Sequence, residues 1–204
     1  HQEYGQLLKV LPENYRDRVL YRIAELDYFE ARFDTAAGSL QRISTNLSND
    51  LANDALQLLY FIQENRAAGQ EALAEFARAD LLVRQRKHSE ALARFESLTT
   101  RFAATPLLDD AVMRIGELHL VLNKTDSALA VFNRIISNMQ TSVLRDRAQM
   151  RIGEVYEGWL KDRKKAIEAY EAVLADHPAS LFIEEARRRI RILRGDAMRN
   201  TQIR

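Results

Sequence analysis

Three segments of this chain read alike: SEALARFESL from Ser89, SALAVFNRII from Ser127 and KAIEAYEAVL from Lys165, each with an aromatic ring four residues after an alanine. The anchor alanines, Ala91, Ala128 and Ala166, stand 37 and 38 residues apart, room for two helices of about 14 residues and two short turns. An upstream copy has Ala36, with Leu40 in place of the ring. Twelve or thirteen residues before each anchor lies another small residue: Ala24, Ala79, Gly116 and Gly153. The pairing predicts two antiparallel helices that cross where small side chains let the backbones approach, with Ile23, Ile115 and Ile152 filling the core beside the crossing. Such a hairpin cannot bury both of its apolar faces alone, so each must stack on the next.

The residues at this spacing resemble the tetratricopeptide repeat. Gly116, Ala128 and Phe132 match its small, alanine and aromatic positions, and Gly153, Ala166 and Tyr170 match with one residue inserted. The family's tryptophan is missing and its closing proline survives only as Pro178, so the repeats are divergent and longer than the usual ~34 residues. Segment order carries a further resemblance. LANDALQLLYFIQEN at 51–65, FARADLLVRQRKHSEALARFESL at 76–98 and HPASLFIEEARRRIRILRGD at 177–196 resemble the C-terminal region of a family of long, exported bacterial tetratricopeptide proteins. That resemblance implies a cell-envelope or periplasmic setting and brings no established activity with it. The 37-residue spacing is similar, more distantly, to that of periplasmic repeat proteins of outer-membrane β-barrel assembly and of Tol-Pal-coordinated division.

The expected fold is all-α: a right-handed α-solenoid of tetratricopeptide-like hairpins. Its ten or so helices fall near 15–31, 34–46, 50–65, 70–86, 89–102, 106–122, 125–139, 142–159, 163–176 and 179–194. As a single array this gives an N-terminal remnant at 1–14, repeats at 15–48, 71–104, 105–140 and 141–178, an extra helix within 49–70 and a capping helix at 179–195. Ser89, Asp162 and Thr105 before Pro106 are the expected N-caps, and Gly195 is the expected C-terminal stop. The middle is irregular, because Ala36 and Ala91 are separated by more than one repeat and fewer than two. The 50–65 helix is expected to lie antiparallel beside 70–86, without a standard hairpin mate.

Charge and composition narrow the function classes. Lys and Arg total 30 against 29 Asp and Glu, so no global field draws in nucleic acid. No apolar run approaches the roughly 18 residues that a bilayer span needs, so membrane insertion is not expected. Cysteine is absent, which removes disulfides and thiolate chemistry and suits the cytoplasm as well as the envelope. The first residue is His1, not Met, which reads as a processed or excised chain. His1, His88, His119 and His177 show no metal-ligand spacing, and no phosphate loop or nucleophile elbow is present. No enzyme activity, cofactor or metal is expected. Trp159, at the turn with the inserted residue, is expected to pack over a helix end.

The candidate interaction surface lies on the first helix of each hairpin. Arg-Ile-small-Glu recurs as Arg22 with Glu25, Arg114 with Glu117 and Arg151 with Glu154, and Asp80 keeps only the acid. Spacing i,i+3 puts both charges on one helical side. The acids form either a row on the concave face that holds a basic or amine-bearing segment, or half of an inter-repeat ion-pair ladder. Tyr21, Tyr28, Phe76, Met113 and Met150 are either apolar contacts for such a ligand or core. Arg187, Arg188, Arg189, Arg191 and Arg194 on the last helix are either a basic cluster for phosphate or an acidic partner or, as the expected reading, a solvated outer face. The expected function is a non-catalytic scaffold that binds a protein or peptide on its concave face. The alternative is an architectural or self-associating segment of a longer solenoid.

Overall fold

The computed structural model describes residues 6, 10, 12–45, 50–66 and 69–195. Most of the expected N-terminal remnant lies outside them. The helices are α1 (Glu13–Phe29), α2 (Phe33–Ser44), α3 (Ala52–Arg66), α4 (Gln70–Arg84), α5 (His88–Arg101), α6 (Leu107–Val121), α7 (Thr125–Asn138), α8 (Arg145–Gly158), α9 (Arg163–Asp176) and α10 (Ile183–Arg194). No strand occurs among the described residues, and the fold is an all-α set of tetratricopeptide-like hairpins.

The largest boundary shifts are at α8 and α10, which begin three and four residues later than the periodicity predicts. The cause is local. The Ser142 hydroxyl accepts from the Leu144 N–H at 3.1 Å and the Ser180 hydroxyl from the Phe182 N–H at 3.0 Å, so each serine diverts donors into a turn. Asp162 caps α9 as expected, its carboxylate accepting from the Lys165 N–H at 3.0 Å. Ser89 does not cap α5, which starts one residue before it, and the Thr105 hydroxyl donates to the Phe102 carbonyl instead of capping α6. Gly195 ends α10 at φ 78°, as expected.

The turn inside each hairpin is built the same way four times. Ala31, Arg86, Asn123 and Lys161 occupy the left-handed region at φ 55–60°, and none of them is glycine. The next N–H closes back over the helix end: Arg32 to the Asp27 carbonyl, Lys87 to Leu82 and Lys124 to His119, all at 2.8–2.9 Å. The fourth turn reaches one residue further, from Asp162 to Tyr156 at 2.9 Å, which absorbs the insertion. The insertion leaves Trp159 46% exposed rather than packed over the helix end.

The chain divides into two compact units, His1–Leu108 and Asp109–Arg204. In the first, α1 pairs with α2 and α4 with α5, and the extra helix α3 lies chiefly along α2 and only lightly against α4. Its main neighbour is thus the preceding helix, not the following one. Arg66, the last residue of α3, pairs with Asp34 in the first turn of α2, so these two run antiparallel. An aromatic chain locks α3 in place: Phe61 sits 6.4 Å from Tyr28 of α1 and 5.0 Å from Phe76 of α4, and Phe76 lies 5.0 Å from Phe95 of α5. One odd helix reverses the chain. Tyr28 meets Asp80 and Glu25 meets Arg84, opposite senses along the two helices, so α1 and α4 cross antiparallel.

Among its described residues the second unit has no extra helix. Asp146 meets Ser180, and Glu157 meets Arg189, so α8 and α10 run parallel. Its hairpins close on glycine. A Cβ on Gly116 would fall 2.4 Å from the Phe132 ring, and one on Gly153 would fall 2.4 Å from the Tyr170 ring. This corrects the expected nesting of small residue on anchor alanine: the group seated on the glycine is the ring four residues beyond that alanine. A flat ring against bare backbone brings the helices closer than any side chain at that position allows. Ala128, Ala166, Phe132 and Tyr170 are all fully buried.

Gly116→Ala and Gly153→Ala are expected to destabilise by about 1–3 kcal/mol, because the overpacking exceeds the gain of up to ~1 kcal/mol in helix propensity. Gly38, in mid-α2 with nothing within 4 Å of its Cβ position, is expected to stabilise on change to Ala. Urea unfolding of the three variants checks the contrast in sign.

Candidate protein-binding surface

The apolar candidates are core. Tyr28, Phe76, Met113 and Met150 are 2%, 1%, 4% and 3% exposed, so they offer no surface to a ligand. Tyr28 and Phe76 belong to the aromatic chain that holds α3, and Met150 packs in a cluster with Tyr170 and Ile190. Tyr21 alone is half-buried. Its hydroxyl is held above the ordinary tyrosine range by burial, then by the charges of Glu25 and Asp54.

The charged candidates meet arginines and a tyrosine. In the first unit Glu25 accepts from Arg22 on its own helix and from Arg84 of α4 at 3.5 Å. Asp80 accepts from the Tyr28 hydroxyl at 3.1 Å. Because α1 and α4 are antiparallel, these two acids do not recur in register, and the regular acidic row is absent from this unit. In the second unit Arg151 bridges Glu117 of α6 and Glu154 of α8 through its two terminal nitrogens. All three side chains are 24–27% exposed. Arg114 is exposed.

The ladder continues through residues outside the expected set. Arg189 stands one repeat after Arg151 and reaches Glu157 of α8 at 3.1 Å and Glu185 at 2.8 Å. Glu157 in turn accepts from the Tyr170 hydroxyl at 2.6 Å, and burial followed by this bond pushes that hydroxyl well above the ordinary tyrosine range. The preceding hairpin carries Phe132 and the buried Leu120 at the equivalent places, so the phenol and its carboxylate partner are exchanged together for an apolar pair. The one-repeat offset from Arg151 was the signal for Arg189. It was masked by the run of arginines around it, which the structure divides: Arg187 pairs with Glu184, Arg188 and Arg189 with Glu185, and Arg194 with Glu171.

Arg151→Met is expected to lower stability by about 1 kcal/mol, and a double-mutant cycle with Glu117→Gln to return a favourable coupling. Hydrogen bonds from Arg188 and then Arg189 hold the Glu185 carboxyl down at about 2, against an ordinary value of 4.5. A depressed folded-state value stabilises above the ordinary one and loses that contribution as the pH falls from 4.5 toward 2. Glu185→Gln is therefore expected to flatten this part of the acid limb, measured as melting temperature against pH.

Among the described residues no helix is long and apolar enough to cross a membrane, and no group of His, Asp or Glu is arranged to hold a metal ion. No curated protein matches the chain. Two family models do: both are described as the tetratricopeptide repeat, over residues 76–141 and 147–180. The matched residues include Phe95, Phe132 and Tyr170, each buried at the anchor-plus-four position. Over those two stretches the chain is similar to tetratricopeptide repeats.

Proposed function

We propose that the chain is a non-catalytic scaffold that binds a protein or peptide segment along its first helices, in the second unit through Glu117, Arg151 and Glu154. Tetratricopeptide repeats in general mediate protein–protein interaction. The observation that supports this surface is the state of the ladder: each member is hydrogen-bonded yet about a quarter exposed. An incoming lysine or arginine can exchange with Arg151 at either carboxylate without opening the core. The cell-envelope setting, on the resemblance of 51–65, 76–98 and 177–196, is part of the proposal. A second reading, an architectural or self-associating segment, is favoured by Arg151 already serving both acids.

A photo-crosslinking residue at Arg114 on the first helix, with controls at the exposed second-helix residues Arg134 and Glu168, separates the two. Binding predicts adducts with other proteins at Arg114 only, lost in Glu117→Lys with Glu154→Lys by more than the fall in stability explains. Equal adducts at all three sites, or adducts only between copies of the chain, would favour the architectural reading.

A further inference from the structure

In the second unit each first helix is covered by the helix after it, with Phe132 on Gly116 and Tyr170 on Gly153. Helix α10 occupies the first-helix place once more. Ala186 and Ile190 lie one repeat beyond Ala148 and Ile152, and all four are buried. Among the described residues no helix comes after α10. An open groove remains between α9 and α10, lined by Leu174 and Ile190, by the arginines Arg187, Arg191 and Arg194 and by the acids Glu171 and Glu184. The register identifies it as the groove that a covering helix fills. Arg187 stands one repeat after Gln149, whose side-chain amide donates to the Ala169 carbonyl of the covering helix α9 at 3.0 Å.

The residue at the ring-accepting place is changed. Arg191 stands where Gly153 does, so α10 offers no bare backbone at the place where Tyr170 lies on α8. A ring therefore cannot seat on α10 against bare backbone as Tyr170 does on α8. Arg187 pairs with Glu184 at 2.5 Å and Arg194 with Glu171, while Arg191 is exposed and has no ion-pair partner among the described residues. The groove thus combines an apolar lining with one uncompensated cation. Residues 196–204 carry Arg199 and Arg204 against Asp196, a balance that does not complement it.

We propose that the groove between α9 and α10 binds an amphipathic helix of a partner protein, which lays an apolar stripe over the half-buried Leu174 and presents a carboxylate to Arg191. This surface is distinct from the Glu117–Arg151–Glu154 ladder and does not depend on it. The probe is a synthetic helical peptide with a leucine stripe flanked by glutamates, compared with the same peptide flanked by lysines, titrated against the whole chain by fluorescence anisotropy. The glutamate peptide is expected to saturate, to weaken with salt and to bind at least tenfold tighter than the lysine peptide. Arg191→Glu is expected to reverse that preference, and Arg191→Ala to abolish it, both with unchanged circular dichroism and melting. Crosslinking at Arg114 is expected to be the same in these variants. Equal binding of the two peptides, no saturable binding, or indifference to Arg191→Glu overturns the proposal. So does a concentration-dependent dimer that Arg191→Glu dissolves, which makes a second copy the occupant, or binding that appears only after removal of residues 196–204.

Discussion

The close approach of two helices at a glycine is the contact on which the second unit depends. Phe132 on Gly116 and Tyr170 on Gly153 place a flat ring where a single methyl would collide. Close packing then leaves the second helix little freedom to slide along the first. The same contact explains why the anchor alanine has to be small without being the group that fills the crossing: it clears the way for the ring one turn later.

The first unit reaches its packing by a different route. Its small positions hold Ala24 and Ala79, and an extra helix carries Phe61 between Tyr28 and Phe76. Short turns alternate the chain direction, so with one unpaired helix between them α4 crosses α1 antiparallel. The polar pattern changes with it. Acids that repeat in sequence meet partners across the crossing, Glu25 with Arg84 and Asp80 with Tyr28, and do not continue a ladder.

In the second unit the polar and apolar patterns remain in phase. Arg151 joins neighbouring first helices through Glu117 and Glu154, and Arg189 does the equivalent through Glu157 and Glu185. Half-buried arginines suit this role, since the planar guanidinium serves two carboxylates at once and stays charged. At α10 the phase breaks in one residue, where Arg191 replaces the glycine, and the stack presents charge instead of a seat for a ring.

The residues by themselves determined the repeat: the 37- and 38-residue spacing of Ala91, Ala128 and Ala166, the helices that this spacing requires, and the Asp162 and Gly195 signals at their ends. Periodicity reports which faces of a helix are apolar, and that is a local property. It does not report what a face meets. Only the tertiary structure decided that Tyr28, Phe76, Met113 and Met150 are core, that α3 lies chiefly on α2, and that Phe132 and Tyr170 sit on the glycines. The four left-handed turn residues were equally hidden, because Ala31, Arg86, Asn123 and Lys161 share no residue type and are held there by hydrogen bonds closing over each helix end. The direction of α4 relative to α1 depends on the number of helices between them, and the partners of Glu25 and Asp80 depend on that direction, a relation between distant segments that no single window of sequence contains.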